Sequence, residues 1–157
     1  MNETHTAEIA ALERLCFSDP WSVGSIAEEL ENPLSCWIVA EDESGSVLGY
    51  AGSQTVMDEA DVMNVAVSPD ARRQGTGSML MITLMNVLFQ RGVRLLTLEV
   101  RASNEPAVSM YHKLGFIQVG RRPHYYRHPR EDALILRAEL PGSPFIEKVN
   151  KIEYTGY

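Results

Sequence analysis

The sequence predicts a mixed α/β domain, and three observations lead to that prediction. Apolar residues recur at helical spacing in four segments and form short continuous or alternating runs in six others. Gly, Pro and Asn stand between these segments, where turns and helix ends favour them. The chain of 157 residues is 45% hydrophobic and 22% charged, which is ordinary for a globular protein with a buried core.

Two helices are expected at the start of the chain. Residues 7–17 place four apolar side chains on one helical face: Ile9, Leu12, Leu15 and Cys16. Ser22 can cap a second helix, because its hydroxyl can accept a hydrogen bond from an unpaired N–H of the first turn. Asn32-Pro33 ends this helix, since the residue before a proline is disfavoured in helical conformation.

Six strands and two further helices complete the predicted order. The strands are expected over residues 36–40, 47–56, 61–67, 94–100, 116–120 and 133–140. The helices are expected over residues 75–90 and 104–114, and Gly92 and Gly115 stand just past their ends. Two prolines at residues 141–144 mark a boundary. We therefore expect one domain over residues 1–140 and a C-terminal tail over residues 141–157.

Charge and hydropathy limit the classes of function. There are 14 basic and 21 acidic residues, and a net charge of −7 argues against direct nucleic-acid binding and suits a cationic partner such as a basic peptide or a polyamine. Residues 1–10 are polar and do not resemble a signal peptide. The longest apolar stretch, residues 79–89, is too short to span a bilayer. These observations predict a cytoplasmic protein without a membrane partner.

The turn between the third strand and the third helix is the strongest candidate for a binding site. Unpaired N–H groups at a helix N-terminus favour an anion. Gly75 and Gly77 allow a ligand to approach the backbone closely, and Arg72 and Arg73 add positive charge. The P-loop pattern G-x-x-x-x-G-K-[ST] does not occur, and the dinucleotide pattern G-x-G-x-x-G is incomplete because Leu80 stands in place of its third glycine. A simple turn with solvated arginines is the alternative.

The pattern R-x-x-G-x-G at residues 72–77 resembles the pyrophosphate loop of the GNAT family of N-acetyltransferases, which bind acetyl-CoA. Further matches extend the resemblance over roughly residues 15–140 and make it similar to the RimI type, which acetylates the N-terminal alanine of a small-subunit ribosomal protein. The matching segments are D-P-W-S, D-E-A, N-V-A-V-S-P-D, L-E-V-R-A-S-N, Y-H-K-L-G-F, R-R-P-H-Y-Y and E-D-A.

The resemblance implies a GNAT fold, in which a twisted, mostly antiparallel sheet splays open between two central parallel strands, with helices on both faces. It implies acetyl-CoA as co-substrate, no metal, and contacts from the backbone at a β-bulge in the third strand. The residues implied to bind the cofactor are Val65, Ala66, Val67, Arg72, Arg73, Gln74, Gly75, Thr76, Gly77, Ser78, Asn104 and Tyr111. Asn104 is equally suited to cap its helix.

Acetyl transfer to an amine needs a neutral amine and a proton for the departing thiolate. Glu99 is the candidate general base, because it is an acid within an otherwise apolar strand. The family uses a tyrosine at the position of Tyr111 as general acid, and a phenol with a pKa near 10 carries the required proton at pH 7. The alternatives are a solvated carboxylate at Glu99 and a core tyrosine at Tyr111.

Trp21, Tyr125 and Tyr126 are the candidate walls for the peptide, because the family places substrate contacts after the first helix and in a late hairpin loop. These aromatic residues could also serve only packing. His124 and His128 are four residues apart, but the flanking prolines disfavour a helix, so we expect no metal site. The predicted partner is the basic N-terminus of a ribosomal or other protein. The alternatives are acetylation of a lysine or small amine, and a non-catalytic acyl-CoA sensor.

Overall fold

The computed structural model describes residues 1–140 and contains the predicted order of helices and strands. The helices are α1 (Thr6–Cys16), α2 (Val23–Glu31), α3 (Thr76–Gln90) and α4 (Glu105–Lys113). The strands are β1 (Ser35–Glu41), β2 (Val47–Val56), β3 (Glu59–Val67), β4 (Leu95–Arg101), β5 (Ile117–Arg127) and β6 (Arg130–Glu139). The predicted tail, residues 141–157, lies outside the described residues.

The strands form a six-stranded sheet in the order β1-β2-β3-β4-β6-β5. β1 pairs with β2, β4 with β6 and β5 with β6 in antiparallel orientation, whereas β3 and β4 are parallel. The parallel ladder joins residues 59–61 to residues 95–97. A mixed, mostly antiparallel sheet with one parallel pair confirms the predicted fold class.

The residues that were expected to cap helices do so. The hydroxyl of Ser22 accepts a hydrogen bond of 3.0 Å from the N–H of Ser25, and the side chain of Asn104 accepts one of 3.3 Å from Ala107. Gly92 and Gly115 have φ of 89° and 95° just past the ends of α3 and α4. Glycine adopts this left-handed conformation without the steric cost that a Cβ imposes, so both helices end where the sequence predicts.

The chain divides into two compact units. The first unit contains Met1–Val56 and Val62–Leu84. The second contains Met57–Asp61 and the residues from Met85 onward. Strand β3 therefore contributes its first residues to the second unit and its remainder to the first.

The core of the first unit is a buried cluster contributed by α1, α2 and the strands β1 to β3. Its members are Ile9, Ala10, Leu12, Ile26, Trp37, Tyr50 and Ala66. The expected apolar face of α1 was wrong at Leu15, which is 71% exposed, whereas Glu13 is fully buried. Ile9, Leu12 and Glu13 follow the i, i+3, i+4 stripe of a helix, and Leu15 lies off that stripe.

Trp37 of β1 is the largest aromatic residue of this cluster, and its ring occupies the space over Gly52 of β2. A Cβ at residue 52 would lie 2.8 Å from the indole ring, which is closer than real Cβ atoms approach. On its other sides the indole stacks on Tyr50 at 5.2 Å and meets Trp21 at 5.8 Å between ring centroids. The glycine therefore makes room for the tryptophan.

The second unit is built on β4, which pairs with β6 along its whole length. Alternate residues of β4 point to opposite faces, so Leu96, Leu98 and Val100 are buried while the residues between them are half-buried. Helix α4 follows β4 and contributes Tyr111 to the buried residues.

Strand β5 differs from the prediction. It was expected to end at residue 120 with Tyr125 and Tyr126 in a loop, but the strand continues to Arg127. A proline interrupts most strands, yet β5 lies at the end of the strand order and its pairing with β6 is irregular between Arg122 and Tyr126. An edge position and a bulge both tolerate the missing N–H of Pro123, so the two tyrosines lie on a strand.

Candidate active site

In the first unit, the turn that joins β3 to α3 presents a row of backbone N–H groups. The first hydrogen bond of α3 runs from the N–H of Met79 to the carbonyl of Gly75 at 2.9 Å, so the N–H groups at the start of the helix have no intrahelical acceptor. Arg73 and Gly75 adopt left-handed conformations with φ of 59° and 86°. Successive N–H groups in such a turn, at the start of a helix, form a concave site for an anion.

The side chains of this turn mostly hold the turn itself. The Nε of Arg72 donates to the carbonyl of Val67 at 3.1 Å, and its Nη2 lies 3.5 Å from the sulfur of Cys16. Gln74 and Thr76 donate to carbonyls of the short helical turn Pro69–Ala71 at 2.9 and 3.2 Å. An anion at this turn would therefore meet mainly backbone N–H groups, and Arg72 has a structural role that its charge did not indicate.

The end of β3 is closely packed against β2. Ala66 is buried, and a Cβ at residue 49 would lie 2.7 Å from its carbonyl oxygen, so Gly49 is needed for this approach. The carbonyl of Val67 accepts the hydrogen bond from Arg72. These contacts fix the backbone of residues 66 and 67, where the sequence predicts contacts with the pantetheine arm.

In the second unit, Glu99 lies on β4 between the buried residues Leu98 and Val100 and points to the half-buried face of the strand. Its side chain is 25% exposed, and its Oε1 lies 3.3 Å from the Nη2 of Arg122 on β5. The carboxylate is therefore accessible and has a cationic neighbour on an adjacent hairpin.

Tyr111 and Tyr126 lie within electrostatic reach of each other. Tyr111 is buried, with its ring edge-on to Phe116 at 5.6 Å, and burial followed by the neighbouring Tyr126 raises the pKa of its phenol. Burial, the adjacent Tyr125 and the carboxylate of Glu99 raise the pKa of Tyr126 to about 12, against the opposing effect of a neighbouring arginine. Both phenols hold their protons at neutral pH, and Tyr126 lies within electrostatic reach of both Glu99 and Tyr111.

Arg101 is a residue of this region that the sequence analysis did not identify. Its Nη1 donates to the carbonyl of Pro129 at 3.0 Å, and its Nη2 donates to the carbonyl of His128 at 3.1 Å. The guanidinium also lies 3.4 Å from Glu131 and 4.1 Å from the ring centroid of Tyr126. Arg101 thus holds the turn between β5 and β6 and the tyrosine beside it.

The other predicted site residues have structural partners as well. Asn104 caps α4. Tyr125 is 48% exposed and meets Tyr126 edge-on at 5.1 Å. Trp21, in the first unit, is half-buried against the core cluster, and its backbone N–H donates to Glu13 at 2.9 Å.

Neither a metal site nor a membrane-spanning helix is present in the described part of the chain. Among residues 1–140, no group of three or more His, Cys, Asp or Glu side chains is arranged to hold a metal ion. Every helix in the same range is too short or too polar to cross a bilayer.

Comparison of the sequence with known proteins gives consistent matches. The model of the acetyltransferase (GNAT) family matches residues 6–116. The ribosomal protein bS18-alanine N-acetyltransferase of Escherichia coli K12 is 39% identical over 128 residues, which cover 80% of this chain and 84% of that protein. The protein of the same name from Salmonella typhimurium is 38% identical over 128 residues, with the same coverage.

Comparison of the structure with solved structures also finds an N-acetyltransferase of this name. The crystal structure of the ribosomal-protein-S18-alanine N-acetyltransferase from Escherichia coli matches with a TM-score of 0.81 at 34% identity, covering 89% of this chain and 90% of that chain. Ard1 from Thermoplasma volcanium also matches with a TM-score of 0.81, at 22% identity and with coverage of 88% and 93%. The second match is a likeness of fold.

Proposed function

This chain belongs to the acetyltransferase (GNAT) family, and on that premise we propose that it acetylates the α-amino group of a protein N-terminus, most specifically the N-terminal alanine of a small-subunit ribosomal protein. The chain is an N-acetyltransferase, and its family uses acetyl-CoA as acetyl donor. The observation that carries the proposed substrate is the 39% identity to the Escherichia coli enzyme over 84% of that enzyme's length.

We assign the phosphates of acetyl-CoA to the turn at residues 72–78. The support is the start of α3, where the first N–H groups have no intrahelical acceptor, since phosphate oxygens are strong acceptors and a helix N-terminus favours negative charge. Arg73 is exposed and adds positive charge beside them. The neighbouring backbone at Val65, Ala66 and Val67 is the proposed contact for the pantetheine arm, and Asn104 a further one.

In the proposed reaction, acetyl-CoA supplies the acetyl group in the activated form of a thioester. Glu99 removes a proton from the α-ammonium group of the substrate, directly or through a water, so that the nitrogen lone pair becomes available. Tyr111 carries at its hydroxyl the proton that the departing thiolate requires. The raised pKa of Tyr111 keeps its phenol protonated near pH 8, where the α-amine becomes neutral, so the proton is available there.

An N-terminal amine suits this chemistry better than a lysine. The pKa of an α-amine is about 8 and that of a lysine about 10.4, so deprotonating the lysine at neutral pH costs about 3 kcal/mol more. A carboxylate base therefore has less work to do on an N-terminal amine than on a lysine.

We propose Trp21, Tyr125 and Tyr126 as the aromatic contacts of the peptide. Each has exposed or half-exposed ring surface in addition to its packing contacts. The net charge of −7 favours a substrate with a basic second residue. A ribosomal substrate also suggests that the enzyme acts in the cytoplasm.

A series of four peptides tests the proposal. The first begins Ala-Arg, the second Ala-Glu and the third Trp-Arg, and the fourth begins with acetylated Ala-Arg and carries an internal lysine. CoA release should be fastest with Ala-Arg and almost absent with the blocked peptide. Raised salt should increase the KM of Ala-Arg, because screening weakens attraction between the acidic protein and the basic peptide. Faster turnover of the blocked peptide would refute N-terminal acetylation in favour of lysine acetylation. Binding of acetyl-CoA without any CoA release would indicate a sensor.

A further inference from the structure

Glu13 is a carboxylate inside the hydrophobic core of the first unit. It lies on α1 and has no exposed surface, and its neighbours Ile9, Ala10 and Leu12 belong to the buried cluster. A buried charge is unfavourable unless hydrogen bonds replace its hydration. The groups that donate hydrogen bonds to Glu13 therefore indicate its role in the structure.

Both carboxylate oxygens of Glu13 accept hydrogen bonds from other elements of the same unit. Oε1 accepts from the hydroxyl of Tyr50 on β2 and from Nδ2 of Asn64 on β3, the latter at 2.8 Å. Oε2 accepts from the backbone N–H of Trp21 at 2.9 Å. One side chain thus links α1, two strands and the connection between α1 and α2.

Trp21 and Tyr50, which both bind Glu13, are also connected through the ring of Trp37. The ring of Trp21 meets Trp37 at 5.8 Å, and Trp37 stacks on Tyr50 at 5.2 Å with an angle of 19° between the ring planes. The hydroxyl of Tyr50 donates a hydrogen bond to Glu13, and Glu13 also accepts one from the backbone N–H of Trp21. Trp21 is therefore held at its backbone by Glu13 and at its side chain by Trp37.

We propose that Glu13 is a positioning residue for peptide binding: its carboxylate fixes Trp21, and thereby the aromatic surface that receives the first residues of the substrate. This inference rests on the proposed function, in which Trp21 contacts the peptide. Glu13 does not touch the substrate. The carboxylate is required because it has two acceptor oxygens. One accepts from the side chains of the strands, and the other accepts from the N–H of Trp21.

Glu13→Gln tests whether one residue must accept from the strands and from Trp21 at the same time. An amide has one oxygen, so the variant can accept from the strands or from Trp21 but not from both. The amide nitrogen would face the N–H of Trp21 in the orientation that keeps Tyr50 and Asn64 bonded, which puts two donors together. Tyr50→Phe removes one donor but leaves the bond to Trp21. Glu8→Gln changes an exposed acid on the same helix that binds the N–H of Val47 at 2.9 Å.

The experiment measures hydrogen exchange of the Trp21 amide by NMR and the kinetics of the Ala-Arg peptide in these three variants. We expect Glu13→Gln to accelerate exchange and to raise the peptide KM by roughly tenfold, equivalent to about 1.4 kcal/mol. The KM of acetyl-CoA and kcat should change less than about twofold, well below that factor. Tyr50→Phe and Glu8→Gln should keep both the slow exchange and the peptide KM.

Three results would overturn the inference: unchanged exchange in Glu13→Gln, faster exchange with an unchanged peptide KM, or equal losses in Tyr50→Phe. If Glu13→Gln does not fold, the wild-type chain provides the test. The peptide, and not acetyl-CoA alone, should then shift the resonances of the Trp21 amide and the Glu13 carboxyl carbon, and no shift would refute the inference. Failure of the wild-type chain to acetylate any peptide N-terminus would instead refute the proposed function.

Discussion

Glu99→Gln is the most direct test of the proposed chemistry, and the structure bounds its effect on stability. Glutamine has the same shape and keeps the pairing of residue 99 with Ile135. The variant loses the contact with Arg122 at 3.3 Å, but the arginine side chain is 56% exposed. Such a surface pair contributes about 0–1 kcal/mol. The free energy of unfolding should therefore fall by less than about 1 kcal/mol, so a loss of activity cannot be attributed to unfolding.

The effect on catalysis should be much larger than the effect on stability. Loss of a general base lowers kcat by roughly 10²-fold or more at pH 7. An α-amine with a pKa near 8 is about one-tenth neutral at pH 7 and about nine-tenths neutral at pH 9. The variant should therefore regain up to about tenfold of its rate between these two pH values, because without a base its rate follows the neutral fraction of the amine.

The assay follows CoA release with saturating Ala-Arg peptide from pH 6 to pH 9, with urea denaturation as the measure of stability. Glu139→Gln is a matched control, because Glu139 is an exposed acid near the end of β6 in the same unit. It should leave both kcat and the pH profile unchanged. A wild-type rate for Glu99→Gln across this range would show that Glu99 is not the base.

Three further predictions follow from the structure. Gly75→Val should weaken acetyl-CoA binding, measured by calorimetry, by well over tenfold. Gly45→Val is the control, because Gly45 has a similar φ of 85° and equally open space around it, and it should not change the affinity. Equal affinities in the two variants would exclude the turn at residues 72–78 as the phosphate site. Arg101→Met should raise the peptide KM by roughly three- to tenfold, since it loses charged hydrogen bonds, and exposed Arg127→Met should not; equal KM values would contradict the role given to Arg101. At alkaline pH, stability should begin to fall near pH 10, the pKa of an unfolded tyrosine, and continue to fall as the pH rises toward the folded pKa of Tyr126, about 12; the absence of any fall above about pH 10 would contradict this.

The elements that the sequence predicts well are those with local signals. Ser22 and Asn104 mark the starts of their helices in the sequence, because an N-cap depends only on one residue and the turn that follows it. The turn at residues 72–77 could be identified for the same reason, since glycine spacing and a helix start are adjacent in sequence. Family resemblance added the roles of Glu99 and Tyr111, which composition and spacing alone do not assign.

What could not be predicted depends on contacts between distant residues. Glu8 and Glu13 lie on the same helix, and only the packed core shows that Glu13 is buried. Arg101 stands in a recognisable motif, but its acceptors belong to a turn 27 and 28 residues further along the chain. The fifth strand was expected to end at residue 120, three residues before Pro123, because the edge position that tolerates a proline is a property of the whole sheet.

The contact between Gly52 and Trp37 has a consequence for how this protein can change. A Cβ at residue 52 would meet the indole at 2.8 Å, so a larger residue there is compatible only with a smaller residue at 37. A smaller residue at 37 alone would leave an empty space beside Tyr50 and Trp21. Each single step is therefore unfavourable, and the second change relieves part of the cost of the first, which is epistasis between the two positions. Homologues should therefore vary at residues 37 and 52 together. A redesign of the aromatic surface at Trp21 should change these two residues together.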